Sequence, residues 1–214
     1  MIIYKTIHGE GEGFHVEKKS KFIASVKECI QEEDAVSFIS EIKKKYPDAR
    51  HHTYAYIIGK NKEIQKYSDD GEPQGTAGIP ILEYIKKEEL TNICIVVTRY
   101  FGGILLGKGG LIRAYGKAAK LVETLVEKVD VRTFWEIKLT ADYSYLGSIE
   151  NTTANKKWNL KNKDYLDKVF FDYLIEEEQI EDFNETIMNL TNGNGEIQQG
   201  DLLLKKEKNK IVLD

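Results

Sequence analysis

The centre of the fold is predicted by one segment, NICIVVTRYFGGILLGKGGLIRAYG, which runs from Asn92 to Gly116. Asn92 to Thr98 is a continuous apolar run, which is typical of a strand buried on both faces. The glycine-rich loop that follows leads into a helix predicted from about Leu111 to Lys128, apolar around most of its circumference and hence largely buried. The segment therefore predicts a strand, a glycine-rich crossing and a helix that pack closely together.

The residues before this segment predict the remaining strands and helices of the same domain. Residues 14–29 predict one or two strands with Phe22, Ala24 and Val26 on one face, and the preceding HGEGEG predicts a loop. The other predicted elements are a helix from Gln31 to Tyr46 stopped by Pro47, a strand from His51 to Ile58, a hairpin partner from Glu63 to Tyr67, and a short helix near Ile81 to Lys87.

The second half of the chain has a different pattern. Phe134 to Tyr143 alternates between apolar and polar side chains, as a half-buried strand does. A helix, two strands, an amphipathic helix and a last strand follow, which gives the order βαββαβ of a ferredoxin-like plait. We therefore predict an α+β protein with domains at residues 1–133 and 134–205, and a charged, frayed tail at 206–214.

Composition favours a two-domain protein of the reducing cytoplasm. The chain has 214 residues, enough for one large domain or two small ones, and 41% of them are hydrophobic. No apolar run approaches the ~20 residues of a membrane-spanning helix, and the N-terminal residues lack the pattern of a secretory signal. Two cysteines, Cys29 and Cys94, are too few for a disulfide framework.

Charge and glycine divide the chain in the same way. The net charge of −4 argues against a generic nucleic-acid-binding protein. However, residues 1–134 contain 21 basic and 19 acidic side chains, whereas residues 135–214 contain 10 and 16. Of the 17 glycines, 13 lie in the first part. The two halves are therefore expected to have different roles, with binding assigned to the first.

The glycine-rich loop resembles known phosphate-binding loops only superficially. Gly102 to Lys108 satisfies GxxxxGK, but Gly109 stands where a P-loop needs Ser or Thr, and the dinucleotide-binding pattern fails at Ile112. Two interpretations remain: a tight structural crossing, or an anion-binding surface at a helix N-terminus. The surrounding Arg99, Lys108 and Arg113 slightly favour anion binding.

Other candidate groups give weaker signals. Asp69, Asp70 and Glu72 could hold a hard cation such as Ca²⁺. The favoured alternative is a tight turn in which the Asp side chains accept hydrogen bonds from backbone N–H groups. His51 and His52 alternate along a strand, so they cannot chelate one metal together. We expect one of the two histidines to face the core, Cys94 to be buried within its apolar strand, and no metal or cofactor to be required. Tyr100 borders the glycine loop and is a candidate for stacking on a base.

Four motifs together resemble the YigZ family, the bacterial relatives of the eukaryotic IMPACT protein. They are KSKFIA (Lys19 to Ala24), YPDARHH (Tyr46 to His52), SDDGEPQGTAG (Ser68 to Gly78) and RYFGGILLGKGGLIRAYG (Arg99 to Gly116), and they occur in the family's order. The second half resembles the family's C-terminal domain by architecture more than by motif.

This resemblance implies a fold and a general role. It implies an N-terminal βαβ sandwich like the second domain of a small-subunit ribosomal protein, and a C-terminal plait like the last domain of elongation factor G. It also implies a role in translation or stress regulation, with no agreed enzymatic activity. The kinase-pathway partner of the eukaryotic relatives is not transferred, because their companion domain is absent here. The positions carried over as a candidate binding surface are Asp69, Asp70, Glu72, Arg99, Tyr100, Gly102, Gly103, Lys108 and Arg113.

Three functional hypotheses follow. The first is a non-catalytic cytoplasmic regulator that binds RNA, the ribosome or a translation-associated protein through the glycine-rich loop. The second is a protein-interaction module in which the loop is purely structural. The third is an enzyme acting on a phosphorylated or peptide substrate through Asp69, Asp70, Glu72 and a histidine.

Overall fold

The computed structural model describes residues 1–213 and confirms the mixed α+β class. It contains two antiparallel sheets with interleaved helices. The chain divides into two compact units, one formed by Tyr4–Val129 and the other by Met1–Ile3 with the residues from Asp130 onward. No helix of the described residues is long and apolar enough to cross a membrane.

The first unit is built on a five-stranded antiparallel sheet with the order β2-β3-β6-β4-β5. Its strands are β1 (Ile2–His8), β2 (Glu10–Glu17), β3 (Ser20–Glu28), β4 (His51–Ile58), β5 (Ile64–Ser68) and β6 (Ile93–Tyr100), of which β1 lies outside this sheet. Its helices are α1 (Glu32–Lys45), α2 (Gly78–Lys87), α3 (Gly107–Lys120) and α4 (Val122–Leu125). The long strand β7 (Glu127–Ala141) begins in the last residues of this unit.

The central strand β6 explains why its sequence is apolar without alternation. Ile93, Ile95 and Val97 face the core that contains α2 and α3, whereas Cys94 and Val96 face the core that contains α1. Both faces of the strand are thus covered by helices, as the continuous apolar run predicts. On the paired β3, Phe22, Ala24 and Val26 belong to the core that contains α2 and α3.

The prediction of a loop for HGEGEG was wrong, because β2 occupies most of this segment. A Cβ atom on Gly11 would lie 2.7 Å from the backbone carbonyl oxygen of Leu125. A Cβ atom on Gly13 would lie 2.9 Å from a methyl carbon of the Leu125 side chain. The glycines therefore allow the end of α4 to pack directly on an edge strand.

The helix predicted from about Leu111 begins earlier and ends earlier. Gly107 is the first residue of α3, so the last glycines of the loop form its first turn. The helix is also amphipathic rather than buried all round, because Ile112 and Arg113 are exposed while Leu111 and Tyr115 are buried.

The second unit has the strand order of a ferredoxin-like plait. In chain order its elements are β7, α5 (Leu146–Lys156), β8 (Asn159–Tyr165), β9 (Val169–Glu176), α6 (Ile180–Leu190), β10 (Glu196–Lys208) and β11 (Ile211–Leu213). The sheet order is β11-β10-β7-β9-β8. Ile137 and Leu139 of β7 pack against Phe183 of α6, in agreement with the predicted alternation.

The prediction of a frayed tail from residue 206 was wrong for the described residues. β10 continues to Lys208, and β11 pairs with it. The buried Glu207 lies 2.8 Å from Nε of Arg132, which also contacts Glu176 at 3.0 Å. The charged residues that suggested disorder thus include partners of a buried ion-pair network.

Candidate functional site

The candidate site surrounds Arg99, near the end of β6. Arg99 is only 6% exposed. Nη1 donates to Oε1 of Glu72 at 2.6 Å, and Nη2 donates to Oγ of Ser20 at 3.4 Å. The guanidinium also lies over the rings of Phe22 and Phe101, with its carbon 5.4 and 5.6 Å from the two centroids. The sequence suggested that Arg99 belongs to an exposed basic cluster. In the structure it is instead a buried cation that is paired within the protein.

Glu72 is the anion that balances this cation. It is 8% exposed, and its Oε1 accepts a second hydrogen bond, at 2.7 Å, from the hydroxyl of Tyr115 on α3. Burial, and after it the charge of Glu72, raise the pKa of Tyr115 well above its usual value. One carboxylate thus connects the loop between β5 and α2 to both the central strand and α3.

The other two acidic candidates also bind groups of this chain. Asp69 accepts the backbone N–H groups of Gly75, Ala77 and Gly78 at 2.8 to 3.0 Å, at the start of α2. Burial by itself would raise the pKa of Asp69, but these three hydrogen bonds outweigh it and hold the pKa below its usual range. The favoured interpretation of this loop, carboxylates bonding backbone N–H groups, describes Asp69.

Asp70 joins the same loop to β4. Its Oδ2 accepts the backbone N–H of His52 at 2.6 Å, and its Oδ1 lies 3.2 Å from Nζ of Lys43. The backbone carbonyl of Asp70 contacts Nδ1 of His51 at 2.8 Å. Asp69, Asp70 and Glu72 are therefore directed to three different groups. Within the described residues, no cluster of three or more His, Cys, Asp or Glu side chains could hold a metal ion.

The histidines and Cys94 occupy the environments that the sequence predicts, and Cys29, for which the sequence makes no prediction, is buried as well. His52 is 6% exposed and lies 3.0 Å, through Nε2, from the carbonyl oxygen of Tyr46, while His51 is only half-buried. Cys29 and Cys94 are both buried in the core beside α1.

The glycines of the loop after β6 have distinct roles. A Cβ atom on Gly102 would lie 2.0 Å from the carbonyl carbon of Lys19, so only glycine fits against the turn between β2 and β3. The N–H of Gly102 donates to Oγ of Ser20 at 3.1 Å. Gly103 has a φ of 81° and no atom within 4 Å of an added Cβ, so it borders open space. The loop is thus anchored at Gly102 and open beyond it.

The remaining basic candidates are exposed. Lys108 lies in the first turn of α3 and Arg113 one to two turns later. Lys117, one turn beyond Arg113, forms an ion pair at 3.0 Å with Glu17, which directly precedes the β2–β3 turn. That turn contributes exposed Lys18 and Lys19 beside Gly102. We call the surface formed by Lys18, Lys19, Phe101, Gly102, Gly103, Lys108 and Arg113 the glycine-rich face.

The aromatic candidate changes from Tyr100 to its neighbour. The hydroxyl of Tyr100 donates to Oδ1 of Asp48 at 2.7 Å, and this bond, together with burial, raises the pKa of Tyr100 to about 12. Its ring packs edge-on against Tyr46. Phe101, in contrast, is 52% exposed.

The structure adds residues that the prediction did not select. They are Lys18, Lys19, Ser20, Phe101 and Tyr115. Ser20, Phe101 and Tyr115 lie inside the motifs quoted above, but their partners are distant in sequence, so only the fold shows what they contact.

Comparison with known proteins identifies the family. Residues 18–122 match the Impact N-terminal domain, and residues 139–194 match a domain of unknown function, DUF1949. The chain is 44% identical to the IMPACT family member YvyE of Bacillus subtilis, covering 97% of this chain and 96% of that protein. It is 33% identical to the IMPACT family member YigZ of Escherichia coli, covering 82% and 87%. The chain therefore belongs to the IMPACT family, which confirms the resemblance drawn from its motifs.

Two further similarities cover different extents of the chain. A solved structure described as "Crystal structure of an hypothetical protein" has a TM-score of 0.57 and 29% identity, and the match covers 92% of this chain and 97% of that one. The Protein IMPACT homolog of Dictyostelium discoideum is 41% identical over 95 residues, which is 42% of this chain and 27% of that protein. Similarity to this relative is thus limited to part of the chain.

Proposed function

We propose that this protein is a non-catalytic cytoplasmic regulator of translation or of a stress response, and that it binds RNA, free or on the ribosome, through the glycine-rich face. The observation that carries the proposal is the exposure of four basic side chains on the two elements that flank the glycine-rich loop, the β2–β3 turn and the helix α3. Lys18 and Lys19 on the turn, with Lys108 and Arg113 on α3, lie on neighbouring elements around an open, glycine-lined loop. Such a surface suits a phosphate backbone.

The local arrangement supports an anionic ligand more strongly than the charge of the whole chain does. Glu17, the nearby acidic residue on β2, is already paired with Lys117. Arg99 and Glu72 neutralise each other below the surface, so neither competes for the ligand. The helix α3 begins with Gly107, Lys108 and two further glycines and has no side-chain cap, so its first N–H groups add a weak positive potential.

The experiment compares two variants that lose the same number of charges. The test variant replaces Lys18, Lys19, Lys108 and Arg113 with Ala. The matched control replaces Lys60, Lys62, Lys86 and Lys87, which lie near the opposite end of β6, about 23 Å away along the strand. We expect the test variant to lose RNA and ribosome binding by about tenfold or more at 0.1 M salt, and the control to bind almost as well as wild type. Equal losses in both variants would exclude a specific role for the glycine-rich face.

A second candidate function is docking of a translation-associated protein on the same loop. The observation that favours it is the exposure of two apolar side chains, Leu105 at 83% and Ile104 at 41%. A partner recovered with wild-type protein after nuclease treatment, and lost with Leu105→Asp, would support protein docking. Loss of the partner on nuclease treatment would instead support RNA.

A further inference from the structure

The side chain of Phe101 is exposed at the point where β6 ends. It is 52% exposed, although it directly follows β6, a strand whose residues are all buried except the last. Its ring lies over the guanidinium of Arg99, with 5.6 Å between the guanidinium carbon and the ring centroid. One face of the ring is therefore covered by a cation, and its exposed area is available to a second planar group.

The cation beneath the ring is held in place. Arg99 donates to Glu72 at 2.6 Å and to Ser20 at 3.4 Å, and it also lies over the ring of Phe22 in the core. Because Arg99 is 6% exposed and paired, it cannot swing away to neutralise a phosphate. It serves instead as a fixed support for Phe101, so little conformational freedom remains to be lost when a ligand stacks on the ring.

Exposed basic residues follow this ring in the chain and also lie on the turn that packs against the next residue. Gly102, the next residue, packs against the backbone of Lys19, and Lys108 follows at the start of α3. Gly103 leaves the space beside the loop open. A nucleotide with its base on the ring would thus have its backbone near exposed ammonium groups.

We propose that Phe101 is a stacking platform for an unpaired base, and that the glycine-rich face consequently selects single-stranded over double-stranded RNA. This inference rests on the proposed function, because it requires that the face bind RNA. Bases of a duplex are stacked inside the helix and cannot reach the ring, so a duplex can use only the phosphate contacts. Aromatic platforms flanked by cations bind single strands with little sequence preference.

The experiment measures the affinity for two RNA probes by fluorescence anisotropy. The probes are an unstructured labelled single strand of about 12 nucleotides and the duplex that it forms with its complement. We expect Phe101→Leu to weaken binding of the single strand by about 5- to 100-fold and to leave duplex binding unchanged. Phe101→Tyr keeps an aromatic ring at this position, so it should bind the single strand about as well as wild type does. Val36→Ala, at a 55% exposed apolar position on α1, is the control for loss of exposed apolar area and should not affect either probe.

A second measurement detects stacking directly. In Phe101→Trp the new indole should be quenched when the single strand binds, and not when the duplex binds. The two native tryptophans, Trp135 and Trp158, both lie in the second unit, so wild-type protein gives the background signal. Because residue 101 is exposed, circular dichroism of each variant should match wild type.

The outcomes separate this inference from the proposed function. If wild type binds neither probe in a salt-dependent manner, both proposals fail. If both probes bind with salt dependence but Phe101→Leu has no effect, or weakens both equally, the stacking platform is refuted and phosphate binding by the face remains. Absence of quenching in Phe101→Trp, with binding intact, would also refute it.

Discussion

Replacement of Glu72 by Gln tests whether the buried ion pair organises the first unit. The substitution keeps the shape of the side chain but removes the negative charge between Arg99 and Tyr115. Because Arg99 is 6% exposed, its charge would remain buried without a carboxylate. Removing one partner of a buried pair costs about 3–5 kcal/mol. A Gln oxygen can still accept one hydrogen bond, so we expect the free energy of unfolding of this unit to fall by about 3 kcal/mol.

The assay is urea denaturation followed by two signals. Far-UV circular dichroism records both units, whereas tryptophan fluorescence reports on the second unit, which contains Trp135 and Trp158. The matched control is Glu83→Gln on α2, where the carboxylate is 65% exposed and lies 3.9 Å from Lys86. This exposed pair should contribute about 0.5 kcal/mol or less.

Tyr115→Phe completes the test. It removes one donor from Glu72 but leaves the ion pair with Arg99, so it should cost about 1–2 kcal/mol. The double variant with Glu72→Gln should lose less than the sum of the two single losses, because both changes alter the same contact between residue 72 and Tyr115. The reasoning is refuted if Glu72→Gln changes stability no more than Glu83→Gln does.

Three further predictions concern the backbone, pH and the thiols of the first unit. Gly102→Ala should destabilise the protein by about 2 kcal/mol or more through its clash with the β2–β3 turn, whereas Gly103→Ala should cost only about 1 kcal/mol for its positive φ; thermal unfolding of both compares them, and equal effects would contradict the close contact. The pKa of Asp69 is lowered by folding, so its contribution is present above the unfolded pKa near 4 and is lost as pH falls through the folded pKa. Asp69→Asn should therefore be less stable at pH 7 by about 2 kcal/mol and should approach wild type in acid, and a constant difference between urea curves at all pH values would disprove this. Cys29 and Cys94 are at most 1% exposed and burial raises the pKa of the Cys94 thiol, so a thiol reagent should label them only after unfolding; fast labelling of the native protein would contradict the structure.

The sequence predicted elements whose signal is local. The unbroken apolar run of β6 indicated burial on both faces, and the alternation after Phe134 indicated one buried face. Both signals arise because successive side chains of a strand point to opposite faces, so the pattern of apolar residues shows whether one face or both faces are buried. The order of elements in the second half was therefore sufficient to predict the plait.

Predictions failed where a distant contact overrides local composition. The glycines of HGEGEG suggest a loop, yet they lie in a strand because Leu125 packs on Gly11 and Gly13. The charges near the C-terminus suggest fraying, yet Glu207 is buried beside Arg132. Neither partner can be identified from the local pattern.

The candidate site shows the same limit. The sequence identified the segments that meet around Arg99 but treated Arg99 as a surface cation, because nothing local shows that Glu72 lies 2.6 Å away. It favoured a turn for the acidic loop, which describes Asp69 but not the buried role of Glu72. The exposure of Phe101 rather than Tyr100 likewise depends on where Asp48 lies.

The salt dependence of RNA binding tests the central claim most directly. The logarithm of the association constant of a single-stranded RNA is measured against the logarithm of salt concentration for wild type and for the two matched four-charge variants. The slope is about −0.7 for each phosphate contact on a single strand. The account predicts that replacing Lys18, Lys19, Lys108 and Arg113 reduces the slope by about 2 to 3, while the control at the opposite end of β6 keeps the wild-type slope. A slope near zero for wild type, or the same slope in all three proteins, would contradict the assignment of the glycine-rich face to RNA.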